Sequence, residues 1–461
     1  MKKTLLTLSL LTSLFAFKAK AQVTVPVYED AIYYGMYEGT VSTPVPEGAQ
    51  RNTNSSYGKK LTEEQIASFG SSLTLNVSAA SNCDNYDRIG NVNLAFVPKG
   101  ATSYNYTAVE RIEIARFITP FMVPDGNVYV PFTWDVSNVL DILHDPELST
   151  TYDFWVELEI YGYQGGPGQG GAAVEYPAIC TGRNDVYRGS LEFVSEGTYV
   201  PKNTYFEKLS HKFELKDYVL ATETNNQGTD ELNETVRTIP FTVPEGGATN
   251  AKFYFINSNH GSGTNGEEYV RRWHYVFLDG VQKLSYRPGG VSCVPFFEYN
   301  TQPNCIYYLC DGTSNTRPDT NSAWSWNNWC PGDKIPTRVI NLGALTAGAH
   351  EFKIDIPSAV FFNNDGYFPM SVYVQGETAT AGTDSFNGLS FTMSPNPAKD
   401  IVTITTNGDA IQSFSVINTI GQVVLKGSGT SIDMRNLQNG VYMVKAEFNN
   451  GRQATKKIVK E

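Results

Sequence analysis

Histidine is scarce in this chain. There are five in 461 residues, and none stands in an H-x-x-x-H arrangement. The commonest signature of a zinc hydrolase is therefore missing. No C-x-x-C pair occurs among the six cysteines, Cys83, Cys180, Cys293, Cys305, Cys310 and Cys330. Their spacing disfavours a dithiol redox centre and a zinc ribbon alike. Positive charge is short as well. A formal net charge of −12 argues against nucleic acid or an anionic membrane as partner. Beyond the N-terminus no segment approaches the roughly 18 apolar residues of a membrane-crossing helix, so no membrane insertion is expected. Long helical blocks of Ala, Leu, Glu and Lys are absent too.

What the chain has instead is Gly (40), Tyr (27) and Phe (25), a balance that favours many short strands joined by Gly-rich turns. Its start, "MKKTLLTLSLLTSLFAFKAKAQ", carries two lysines, an apolar core from Leu5 to Phe17 and Ala19-Lys20-Ala21 before Gln22. This pattern predicts a secretory signal peptide over 1–21. Export makes disulfides plausible, although spacing alone does not choose among the pairings that six cysteines allow.

Residues 22–60 are polar and turn-rich and read as an exposed leader. Short alternating runs recur over 61–197 ("SLTLNVSA", "NVNLAFV", "DFWVELEIYGY") and again over 198–376 ("AKFYFINS", "RRWHYVFLDG", "MSVYVQG"). Each series predicts a β-sandwich. Residues 377–386 are small and polar, a linker by composition. Residues 387–461 alternate in short runs between Asn-Gly and Ile-Gly-Gln turns, which implies a compact sandwich of about seven strands. In that last unit "SPNPAKD" (394–400), "INTIGQVVLKG" (417–427), "IDMRNLQNGVYMVKA" (432–446) and "KKIVK" (456–460) occur in order. The unit resembles the sorting domain of the type IX secretion system. That resemblance implies secretion machinery as a partner and a secreted or cell-surface location.

Charge clusters at one strand start. In "CDNYDRIGNVNL" (83–94), Asp84, Asp87 and Arg88 precede the alternating positions Val92 and Leu94. A solvated turn with caps is the plain explanation. Read together with "RFITP" (116–120), "WVELE" (155–159), "NGEEYVRRWH" (265–274) and "WCPGDKIPTRV" (329–339), the segment resembles the peptide-N-glycosidase F family. The resemblance spans roughly 65–375. It implies an all-β protein with two adjacent eight-stranded jelly-roll-like β-sandwiches, here followed by the small C-terminal immunoglobulin-like sandwich. It also implies hydrolysis of the amide between an N-glycan and asparagine, with N-glycosylated peptides or glycoproteins as substrates. No metal and no cofactor are implied, and the chain is expected to be a monomer.

Carried over position by position, the resemblance puts the principal catalytic aspartate at Asp87 and two supporting glutamates at Glu157 and Glu268. Asp87 would activate the attacking water or act at the scissile amide, Glu268 would hold or polarise that water, and Glu157 would orient the inner N-acetylglucosamine, with the division between base and acid left open. Arg88, Asp84, His260, Tyr269 and Trp329 are the substrate-binding candidates. Cys293 with Cys330 matches the family's second-domain bridge. Cys83 is left to Cys180, and Cys305 with Cys310 would close an inserted loop. Hydrolysing an amide without a metal requires groups that activate water and protonate the leaving nitrogen, and carboxylates of shifted pKa suit both tasks. Two other readings stay open at this point. One is a non-catalytic glycan-binding surface protein on the same scaffold; the other is a glycosidase with paired carboxylates. Edge-strand charge is a further explanation for Glu157, and a neighbour, Glu267, competes for the place of Glu268.

Overall fold

In a computed structural model, the described residues are 22–166, 170–220, 228–261, 266–303, 309–310, 315–316, 328–378, 391–406, 410–449 and 453–461. The expected signal peptide over 1–21 lies outside them. The chain divides into two compact units, Met1–Thr378 and Ala379–Glu461.

The first unit holds two sandwiches. One sheet of the first runs Val23–Tyr34, Asp185–Glu196, Ser72–Ser81 and Val130–Asp135 in spatial order. Its facing sheet runs Glu110–Ile118, Ile89–Pro98, Tyr152–Ile160, Ser56–Lys60 and Ala49–Thr53, with Lys334–Ile335 added at the outer edge. Alternate residues of both sheets, such as Leu75 and Phe193 against Leu94 and Val156, fill a common core. The second sandwich pairs Thr204–Leu215, Phe368–Thr378, Ala248–Asn257 and Arg338–Leu345 with Val236–Val243, Gly348–Asp355, His274–Leu278 and Val281–Tyr286. Its core joins Phe253, Phe255 and Val372 to Phe352, Ile354 and Val276. The C-terminal unit packs a three-stranded sheet on a four-stranded one around Val402, Ile404, Val416, Val444 and Ile458, seven strands among the described residues.

The exposed leader expected at 22–60 is instead an integral part of the first sandwich. In Val23–Tyr34 the side chains of Val25, Val27, Tyr28, Ala31 and Tyr33 are buried. The Tyr28 hydroxyl donates to the carbonyls of Tyr57 and Val156, at 3.0 and 2.7 Å. Register shifts between Pro26 and Tyr28 and between Tyr28 and Ala31 break the alternation of that strand. With the Ala49–Thr53 and Ser56–Lys60 hairpin, the segment gives this sandwich nine strands of its own among the described residues, rather than eight. The strand Phe368–Thr378 also runs two residues into the expected linker, whose remainder lies outside the described residues.

The two sandwiches meet through a buried polar face. Asn91, Asn93, Glu113, Arg116, Glu157 and Glu159, all on the side of the six-stranded sheet that looks away from its own core, are 2 % exposed or less. Arg116 is the fastener. Its Nε and Nη2 donate to Glu113 at 2.7 Å each, while Nη1 donates to Ser258 Oγ at 2.8 Å and the Pro369 carbonyl at 2.7 Å. Ser371 Oγ donates to the same glutamate at 2.5 Å, and Lys212 Nζ reaches Glu159 at 2.8 Å. A planar guanidinium saturates two carboxylate oxygens and still has donors left for the second sandwich.

Two disulfides fasten the loops at one end of this seam, Cys83–Cys180 and Cys293–Cys330. Cys305, and with it the expected Cys305–Cys310 bridge, lies outside the described residues. Replacing Arg116 by methionine leaves Glu113 buried without its cation. Denaturant unfolding is expected to show a loss of about 3–5 kcal/mol; a loss under 1 kcal/mol contradicts the fastening role.

Candidate active site

Asp87 sits in the loop between Ser72–Ser81 and Ile89–Pro98, and every neighbour in that loop is tied down. The Asp84 carboxylate accepts from the backbone N–H of Tyr86 (2.9 Å) and Tyr163 (2.6 Å), and from Arg88 Nε (2.6 Å) and Nη2 (3.2 Å). Thr119 of the "RFITP" segment exchanges backbone and side-chain bonds with Arg88, and its hydroxyl donates to the Tyr86 carbonyl at 3.1 Å. Gly332 and Asp333 of the "WCPG" segment in turn bond the backbone of Ile118 at 3.0 Å. The motifs far apart in sequence are thus one hydrogen-bonded scaffold under one loop.

The Asp87 side chain is left over from this network. Its Oδ2 is buried with no hydrogen-bond partner. Burial raises its pKa well above the ordinary carboxylate value; the neighbouring Glu268 raises it further, and Arg88 opposes both. Glu268 comes from the second sandwich. Its backbone N–H donates to the Gly261 carbonyl at 3.4 Å, and Asn328 Nδ2 donates to the carbonyls of Glu267 (2.7 Å) and Glu268 (2.5 Å). Burial raises the pKa of Glu268 as well. Tyr269 hydrogen-bonds Glu268 and feels both carboxylates, so its phenol is held neutral. Close backbone approach shapes this loop: Gly366 has φ +89°, and a Cβ there would meet the His260 carbonyl at 2.4 Å.

The two adjacent glutamates have different tasks. Glu267 is fully buried, accepts from Arg272 Nη2 at 2.7 Å, and also accepts from the Val360 N–H at 2.8 Å. It anchors the turn, and Glu268 faces Asp87. Neither Asp87 nor Glu268 forms an ion pair among the described residues.

Other candidates are placed differently from expectation. Asp84 is fully buried with both oxygens committed to Arg88 and to the Tyr86 and Tyr163 N–H groups. Glu157 is not beside the pair. It lies opposite Asn93, three strand positions past the Gly90–Ile160 pair, about 10 Å along the sheet. There it accepts from Tyr104 (2.7 Å), Asn52 (3.2 Å) and Asn93 (3.3 Å) and pairs with Arg111 at 3.0 Å. Its strand lies inside the sheet, between Ile89–Pro98 and Ser56–Lys60, so the edge-strand explanation fails. Trp329 is buried, its Nε1 donates to the Asn259 carbonyl at 3.1 Å, and its ring packs with Ile118, Ile256 and Ile335. That ring is not open to a sugar. His260 stands behind the pair, where burial lowers its pKa to about 3. Because Arg116 can only donate to Ser258 Oγ, the serine hydroxyl is free to donate to His260 Nε2 at 2.7 Å. Tyr163 and Asn328, which hold the two halves of the site, carried no sequence signal. Their contribution is a backbone N–H and a buried amide joined across long separations.

Comparison with known proteins bears on this geometry. The family model described as Peptide-N-glycosidase F, N terminal, matches residues 24–165, and Peptide-N-glycosidase F, C terminal, matches 228–375. The model described as Secretion system C-terminal sorting domain matches 392–461. Among solved structures, PNGF-II in its P21 crystal form has a TM-score of 0.54 at 18 % identity, over 77 % of this chain and 66 % of that one. In its C2 form the values are 0.52, 17 %, 77 % and 65 %. PNGase F, described as a glycosylasparaginase from Flavobacterium meningosepticum, gives 0.46 at 15 % identity over 78 % of this chain and 97 % of that one. The chain thus spans about two thirds of the PNGF-II chain, and the likeness to PNGF-II is one of fold. No curated protein sequence matches.

Two measurements check the site. Glu267→Gln removes the buried half of the Arg272 ion pair and is expected to cost about 3 kcal/mol in unfolding experiments, whereas Glu268→Gln costs less than 1; equal losses contradict the division. Raised folded pKa values mean that the folded chain holds protons the unfolded chain has released, so stability falls as pH rises from about 4 through the pair's own titration. Asp87→Asn removes part of that fall. Its melting temperature relative to the unmodified chain is expected to climb across this window, and parallel curves contradict the coupling.

Proposed function

Starting from the peptide-N-glycosidase F family, to which the chain belongs through both sandwiches, we propose that it is a glycoamidase acting on N-glycosylated peptides or glycoproteins. The observation that carries the reading is the Asp87–Glu268 pair, two desolvated carboxyl groups that share one environment and lack cations of their own. Two such groups do not both ionise readily, so over the span between their two titration steps one is carboxylate and the other acid. Amide hydrolysis uses both states at once. The carboxylate takes a proton from water as its oxygen adds to the asparagine side-chain carbonyl. The acid then supplies a proton to the nitrogen that leaves with the sugar. The products are aspartate in the peptide and a glycosylamine that breaks down to the free glycan.

Asp87 acts on the water or at the scissile amide in this reading, and Glu268 holds or polarises the water beside it. Arg88, oriented by its bidentate bond to Asp84 and partly open to solvent, offers positive charge to the developing oxyanion or the sugar. Tyr269 donates to Glu268 and keeps it in place. Glu157, saturated by its own donors, takes no proton-transfer step. No step is routed through a metal. The C-terminal sorting domain supports export to the cell surface or beyond, through the type IX machinery.

Mass spectrometry of a defined glycopeptide tests this. The expected result is release of intact glycan with Asn converted to Asp, and a loss of at least 10³-fold in a folded Asp87→Asn variant, the scale of one essential acid–base group. A sugar left on the asparagine would show a glycosidase instead, and no release from any glycopeptide would overturn the enzymatic reading.

A further inference from the structure

The N-terminal segment that completes the first sandwich also builds something its core does not use. Between Val23–Tyr34 and Ala49–Thr53 the chain forms a loop held by a single buried amide. Asn54 Nδ2 donates to the carbonyls of Gly35 (3.1 Å), Glu38 (3.3 Å) and Gly39 (3.1 Å), and its Oδ1 accepts from the Val41 N–H at 3.1 Å. Met36 N–H bonds the Gly162 carbonyl at 2.9 Å, and Gln164 Nε2 donates to Glu38 at 2.6 Å. A loop tied at this many points is rigid, yet it presents the Tyr37 ring 73 % exposed to solvent. An aromatic side chain held in water by such a frame adds nothing to the buried core.

Its position gives it a use. The ring meets Tyr163 edge-on, with centroids 5.2 Å apart and planes at 78°. The Tyr163 backbone N–H binds Asp84, and its carbonyl receives Arg88 Nη2 at 3.5 Å, so this contact lies on the Asp87 side of the site. On the other side, Tyr37 is near enough to Tyr367 to add to the burial that raises the Tyr367 pKa. Tyr367 pairs its backbone with His260, at the root of the loop that carries Glu268. Tyr37 therefore stands astride the seam that joins the two halves of the site.

We propose that Tyr37 is a sugar-stacking residue, whose ring face receives the apolar C–H face of a pyranose in the bound glycan. The inference deepens the glycoamidase reading and rests on it for the identity of the ligand. A pyranose offers a flat apolar face edged by hydroxyl groups. The site offers an aromatic face edged by a guanidinium and a phenol, and both surfaces leave water together. Stacking of this kind needs the ring and not its hydroxyl.

The test is calorimetric binding to full-length chains carrying Asp87→Asn, so that nothing is hydrolysed. The probes are a chitobiose-core oligosaccharide and the matching unglycosylated peptide. Adding Tyr37→Ala is expected to weaken oligosaccharide binding about tenfold, the scale of one aromatic contact, with the melting temperature unchanged. Tyr37→Phe is expected to bind as tightly as the parent. Unchanged oligosaccharide affinity in Tyr37→Ala overturns the inference, as does an effect confined to the peptide or no oligosaccharide binding by the parent. A chain that binds oligosaccharide through Tyr37 but releases no glycan overturns the glycoamidase reading and leaves the stacking role standing.

Discussion

The arrangement depends on one buried guanidinium. Arg116 neutralises Glu113 within the first sandwich and bonds Ser258 and Pro369 of the second. A charge taken out of water in this way is tolerated only with its donors satisfied, so the two sandwiches are held in one register. That register is what brings Asp87 of one sandwich against Glu268 of the other. Arg116 also reaches the site itself, because Ser258 passes the contact on to His260, whose backbone leads into the Glu268 loop.

Around this fastener the acidic residues sort themselves by their partners. Glu113 has Arg116, Asp84 has Arg88, Glu157 has Arg111, Glu159 has Lys212 and Glu267 has Arg272. Each is buried, and each has a cation to offset the loss of water. Asp87 and Glu268 are desolvated without an ion-pair partner among the described residues, and each has a carboxylate nearby, Glu268 beside Asp87 and Asp365 beside Glu268. Desolvation and like charge both raise a carboxyl pKa, and burial raises Glu157 as well; what sets Asp87 and Glu268 apart is that, among the described residues, neither has an ion-pair partner. A lectin gains nothing from such a pair, because an unpaired desolvated carboxylate lowers stability and a binding surface has no use for its proton.

Much of this was legible in the residues. Alternation and turn chemistry gave the all-β character and the three sandwiches, and the ordered motifs marked the segments that carry Asp87, Arg88, Glu268 and Tyr269, on which the proposed reaction rests. Two failures are instructive. Residues 22–60 read as a leader because register shifts between Pro26 and Tyr28 and between Tyr28 and Ala31 break the alternation of Val23–Tyr34. Asp84, Glu157 and Trp329 lie in motif segments, but proximity in a motif does not say whether a side chain faces the cleft or supports it. Their roles are set by partners far away in sequence, Tyr163, Arg111 and Asn259 among them. A single sequence holds no record of those pairings. The adjacent glutamates show the same limit at its smallest scale, since only the turn geometry decides that Glu267 points inward and Glu268 toward Asp87.

The measurement that tests the central claim most directly is an infrared titration of the carboxylic C=O band in the full-length chain, compared with Asp87→Asn. The account predicts a protonated carboxyl that persists well above the ordinary carboxylate range and titrates at lower pH once Asp87 is replaced. Carboxyl groups that all titrate in the ordinary range, or a persistent band that Asp87→Asn leaves untouched, would contradict it.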